Sequence, residues 1–246
     1  MDSQKLLEIK KDPRKALDFA KAYTKEGKYE EALEMHEWFY FNALSIQPSL
    51  SGVRLSFALS YWMKLAEKYP QAKNRLIEIR DEGALKLKSE VWKSQNFREV
   101  INISIYLKDN NTPIEIFKVI CQKQIDKEEI IKCYNFVFKL LVENGEAELC
   151  RKYFGDPLKY VSTYINEFNE SEISLKEFIN KMVDKEKKKD VIHEMKKSSG
   201  RIYNDKISLL VSALKLIGRN EEIKEVYKAG KGIIPEEEYD KIFELK

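Results

Sequence analysis

The chain has two histidines, His36 and His193, and three cysteines, Cys121, Cys133 and Cys150, so an imidazole-based triad or metal site has to use one of two rings. His36 falls on an apolar helical face, where a packed core ring is the expected role. His193 sits in the lysine-rich segment Lys185 to Lys197, where a solvated ring is expected. Neither belongs to a His-Glu-x-x-His pattern, and neither has a Glu three residues ahead, as di-iron helical bundles require. The cysteines lack the close pairing of zinc ligands; buried thiols in a reducing compartment are the expectation. No Gly-rich phosphate loop and no Gly-x-Ser-x-Gly elbow is present. The paired carboxylates Glu128-Glu129, Glu221-Glu222 and Glu236 to Glu238 coincide with expected helix starts, where they complement the helix dipole. The expectation is therefore a chain with no catalytic residues, no metal site and no cofactor.

A different set of residues suits recognition. Arg, Tyr and Trp dominate binding hot spots because they combine large buried area with a polar handle. Trp38, Phe41, Arg54, Phe57, Tyr61 and Trp62 form such a set. The run Trp38-Phe39-Tyr40-Phe41 cannot share one helix face, so neighbours cover it or part of it is exposed. Trp38 and Phe41, with Trp62, are the candidates for an exposed aromatic contact. The lysines between Lys185 and Lys197 alternate with Asp184, Glu186, Asp190 and Glu194, which fits a solvated helix face. Contact with nucleic acid or an acidic partner is the sharper reading of the same run.

These side chains need elements to hold them, and the composition says which. Gly (9) and Pro (6) are too few for the turns of an all-β fold, so the elements are helices. Hydrophobic residues at 43% supply a core and charged residues at 35% a solvated exterior, which argues against disorder. A net charge of +3 neither demands nor excludes nucleic acid. No apolar run long enough for a signal peptide or a membrane span is found, so a cytoplasmic location without membrane contact is expected.

The clearest helix pair runs from Asp12 to Pro48. Asp12 suits an N-cap and Pro13 the first helical position; Ala16, Phe19, Ala20 and Tyr23 form one stripe; Gly27 stops the helix. Tyr29, Ala32 and Pro48 continue the pattern. With Ala20 and Ala32 as the small residues at a close helix crossing, this segment resembles a tetratricopeptide repeat (TPR). Ala16 replaces the usual aromatic, His36 stands where Phe or Tyr is usual, and Ala43 and Pro48 fall about one turn late. Ala84 to Pro113 gives a weaker match. Asp205 to Pro235 matches through Leu210, Leu214, Gly218, Ile223, Tyr227, Gly230 and Pro235.

Between these, Ser51 to Tyr69 reads as one helix, apolar on two faces. The polar stretch Asn169 to Glu172 reads as a hinge between an N-terminal TPR-like lobe, 1–168, and a C-terminal helical lobe, 169–246, ending in a TPR-like unit and a capping helix. The two lobes are expected to form one continuous solenoid.

The resemblance implies an all-α fold: a right-handed TPR-like solenoid of antiparallel helix pairs, about twelve helices in all. It also implies a ligand groove along the first helix of each pair, with Arg14, Lys21, Lys25, Arg54, Phe57 and Tyr61 as candidate lining residues. The function expected is a non-catalytic protein–protein interaction module or scaffold that takes a partner peptide or helix, acidic in character. A nucleic-acid-binding helical repeat is the first rival. A homo-oligomer joined through the patch near Trp38 is another, and an enzyme with a motif-less site of scattered Glu, Tyr and Lys residues has the least support.

Overall fold

The computed structural model describes residues 9, 11–88, 93–181 and 185–243. Local chemistry starts the first helix where the sequence asks. The Asp12 carboxylate accepts from the backbone N–H of Arg14 at 2.9 Å and of Lys15 at 3.4 Å, and Pro13 needs no donor partner. Gly27 ends α1, Pro13–Glu26, at φ 77°, which a residue with a Cβ adopts only with strain.

The helices that follow are α2 Tyr29–Ile46, α3 Ser51–Arg54, α4 Phe57–Ala66, α5 Pro70–Lys88, α6 Ser94–Leu107, α7 Asn111–Ile120 and α8 Lys127–Glu143. They are succeeded by α9 Ala147–Tyr153, α10 Pro157–Lys181, α11 Lys185–Ile217, α12 Ile223–Gly230 and α13 Glu236–Phe243. Among the described residues there are thus thirteen helices and no strand. The chain divides into two compact units, Met1–Val137 and Phe138–Lys246, with the boundary inside α8.

In the first unit α1 packs on α2 and α4, α2 on α4, α4 on α5 and α6, α5 on α6 and α7, and α6 on α7. Ala16, Ala20 and Ala32 are fully buried in the core that α1 and α2 share, where small side chains let the two helices come close. Trp62 anchors α4 to α5 by donating its indole N–H to the Ala72 carbonyl at 2.9 Å. At Gly83 of α5 an added Cβ would lie 2.9 Å from a Val100 methyl of α6. In the second unit α10 packs on α11 and α12, and α11 also on α9 and α13. Tyr203 and Tyr239 converge on α12, donating to the carbonyls of Gly230 at 2.8 Å and Val226 at 3.1 Å.

Two segments differ from the sequence pattern. Ser51 to Tyr69 is not one helix: it breaks at Leu55 and Ser56. The Ser56 hydroxyl donates back to the Gly52 carbonyl at 2.7 Å, competing for a helical acceptor. The Tyr106 hydroxyl donates to the Ser56 carbonyl at 2.9 Å from α6. Asn169 to Glu172, read as a hinge, is helical and lies inside α10. Neither Gly nor Pro interrupts it; Asn169 and Glu170 face solvent, while Ser171 and Glu172 are half-buried, with the Ser171 hydroxyl donating to Ser199 of α11 at 3.2 Å.

Candidate functional site

The α1 stripe Arg14, Leu17, Lys21 and Lys25 repeats at three- and four-residue steps, and the α4 stripe runs Phe57, Tyr61, Lys64. The two helices touch. Leu17 turns inward, 7% exposed, onto Phe39, Ala43, Leu50 and Ala58, and Tyr61 packs on the edge of that cluster. The polar ends of both stripes stay outside. The Lys21 ammonium lies 5.0 Å from the Tyr61 ring centroid, and that of Lys64 lies 5.7 Å from the same ring. Lys21 also pairs with Asp18 at 2.7 Å, and this hydrogen bond raises its pKa. One turn before Tyr61, Phe57 is 63% exposed. Arg14, Lys25 and Lys64 have no ion-pair partner among the described residues. The result is an aromatic platform flanked by two lysines, of which Lys21 is paired with Asp18 and Lys64 has no ion-pair partner among the described residues.

The structure therefore brings Lys21, Phe57 and Tyr61 together and leaves Arg14 and Lys25 exposed on the same helix. Lys64 belongs with them. Its position three residues after Tyr61 was a readable signal.

Arg54 does not join this surface. It is 6% exposed, its Nη2 pairs with the Glu99 carboxylate, and its Nη1 donates to the Tyr40 carbonyl at 3.4 Å. The guanidinium lies 4.7 Å from the Tyr40 ring centroid, and the Tyr40 hydroxyl donates to the other Glu99 oxygen at 3.4 Å. Arg54 ends α3 just before the break, and its charge goes inward because Glu99 of α6 meets it there. Burial raises the Tyr40 hydroxyl pKa, with the Glu99 charge adding to it. Nothing in the pattern around Arg54 pointed to Glu99, which lies 45 residues away.

The aromatic contact set is corrected in the same way. Trp62 is 1% exposed and fully spent on packing and on its bond to Ala72. Trp38 is half-buried against the same core. Phe41 is exposed, set edge-on to Tyr40 at 5.2 Å, on the lip of a cleft of about 190 Å³ that Glu82, Lys86, Asn96 and Glu99 also line.

His36 is buried against Trp62, ring centroids 5.5 Å apart, and neither ring nitrogen has a partner among the described residues. Burial takes its pKa down to about 3, so it is neutral and sealed off from any substrate. His193 is exposed. Burial pushes the Cys133 thiol up, which makes it a poor nucleophile. Among the described residues no cluster of three or more His, Cys, Asp or Glu could hold a metal ion, and no helix is long and apolar enough to cross a membrane.

The second unit has a basic cleft of its own. It measures about 690 Å³, with Val211, Ile223 and Phe243 on its walls and Lys215, Lys224 and Lys228 around them. Glu221 also lines it.

Compared with family models, curated proteins and solved structures, the chain gives no match.

Proposed function

We propose that the chain is a non-catalytic protein–protein interaction module built from TPR-like helix pairs, and that it takes an acidic partner segment carrying an apolar anchor. The observation that carries this reading is the Tyr61 ring flanked by the ammonium groups of Lys21 and Lys64, beside the exposed Phe57. An exposed aromatic with cations around it is complementary to a carboxylate-rich segment with one bulky side chain. The packing of α1 on α2 and α4, of α4 on α5 and α6, and of α5 on α6 and α7 supports the helical-repeat reading, as do Ala20 and Ala32, buried at the α1–α2 crossing. The lysine-rimmed cleft of the second unit repeats the same chemistry. A reducing, cytoplasmic setting suits the buried Cys133 and Cys150.

The test is capture from nuclease-treated lysate at low and high salt, run side by side with wild-type chain and with Phe57→Ala and Lys64→Glu. A protein retained stoichiometrically by wild type and lost by both variants supports the reading. Partners that vanish with nuclease move the assignment to nucleic acid, and retention by all three chains removes the Phe57–Tyr61 surface from it.

A further inference from the structure

The helices α10 and α11 run antiparallel, pinned by the Ser171–Ser199 hydrogen bond at 3.2 Å and the Glu167–Lys206 ion pair. Beyond Val161 the only buried residue of α10 is Leu175, so over its last four turns the pair has one narrow seam. A two-helix arm with so little interior leaves apolar side chains outside. Phe178 is 51% exposed, Met195 39% and Ile202 52%.

These three share one face. Phe178 is seven residues, two turns, beyond Ser171, while Met195 and Ile202 stand four before and three after Ser199. Ser171, Ser199 and Ile202 line the same shallow cleft of about 170 Å³, which fixes the side of the arm on which they lie. The face therefore has a low centre of serines with apolar knobs at either end.

We propose that this face is an interface with a second copy of the chain. In it, each copy's α10 lies antiparallel against its partner's α11, completing a four-helix bundle. Charge favours that pairing. Glu167 and Lys206 pair within one chain; beyond them, residues 168–181 of α10 have three carboxylates against two lysines, and residues 188–201 of α11 have five basic residues against two acidic ones. Placing α10 on the partner's α11 sets the acidic helix on the basic one, and all neighbouring helices antiparallel. The same arrangement brings Phe178 over the partner's Met195.

The area suffices. Eighteen helical residues span about 27 Å and a helix pair is about 20 Å wide, so the contact covers roughly 500 Å² per copy and about 1,000 Å² in total, near the lower bound for a specific association. A weak, concentration-dependent dimer is the outcome.

The experiment is light scattering on size-exclusion peaks, with sedimentation equilibrium, on the full chain from 1 to about 100 µM. The expected result is a mass that rises with concentration towards twice the 29.0 kDa of one chain. Phe178→Lys should raise the dissociation constant at least about tenfold. Met195→Lys serves as the second variant, and helical circular dichroism verifies that each is folded. Ile173→Lys is the control, because Ile173 lies about 140° around α10 from Phe178 and should leave the dimer intact. A single-chain mass at every concentration overturns the proposal. So does a dimer indifferent to both Phe178→Lys and Met195→Lys, which would place the contact on another surface.

Discussion

Acidification should cost this protein stability through His36. His36 is 1% exposed, and burial takes its pKa from 6.5 to about 3. The folded ring is therefore neutral where the ring of the unfolded chain takes up a proton. The sign follows: between the two values the unfolded state binds more protons, so the stability that neutral His36 allows is fully present above pH 6.5 and is lost as pH falls towards 3. At pH 5 the loss is about 2 kcal/mol, and across the whole interval it is about 5 kcal/mol. The perturbation that isolates it is His36→Phe. That change keeps the stack on Trp62 and removes two ring nitrogens that have no partner among the described residues. An orphaned buried polar group costs about 1–3 kcal/mol, and the slightly larger ring returns part of that as crowding. The variant should therefore match or exceed wild type at pH 7.5. Urea unfolding at pH 7.5, 6.5, 5.5 and 5.0 reads the difference, and carboxylates common to both chains cancel. The reasoning predicts that the variant's advantage grows by about 2 kcal/mol from pH 7.5 to pH 5. A constant difference would refute it and would mean that His36 is hydrated or hydrogen-bonded in solution.

Other outcomes follow from the same packing. Glu99→Ala leaves the Arg54 guanidinium buried without its counter-charge, so it should cost about 3–5 kcal/mol in urea unfolding; adding Arg54→Met should recover part of that loss. Gly230→Ala puts a Cβ 2.3 Å from the Tyr239 hydroxyl oxygen and 2.8 Å from that of Tyr203. It should lower the thermal midpoint, and Tyr239→Phe in the same chain should relieve part of the strain. Lys108 ends α6 at φ 58°, so Lys108→Gly should stabilise the fold by about 0.5–1 kcal/mol, read by chemical denaturation.

What could be read in advance was what local chemistry decides. Asp12, Pro13 and Gly27 set the ends of α1 by capping and by φ alone, and Ala20 and Ala32 marked the close crossing because no large side chain fits there. Within the candidate site, Lys21, Phe57 and Tyr61 came from their residue types and from the groove that the TPR resemblance implies. Trp62 was misplaced although its own stripe with Leu55, Ala58 and Leu59 pointed inward; its hot-spot chemistry outweighed its position. Arg54 could not be read at all. Its burial depends on Glu99, 45 residues away, and on the break at Ser56, which a Tyr106 hydroxyl from another helix helps to hold. At Asn169 to Glu172 polarity reads as a break, but without Gly or Pro the helix runs on, its outer residues solvated and Ser171 bonded to Ser199 of α11.

The most direct measurement of the central claim is selection from a random displayed peptide library on immobilised wild-type chain and on the Phe57→Ala/Lys64→Glu variant. The affinities of the enriched peptides for both chains are then measured. The account predicts acidic peptides with one aromatic or aliphatic anchor, binding wild type at least about tenfold more tightly than the variant. Enriched peptides without acidic residues, or with equal affinity for the two chains, would contradict it.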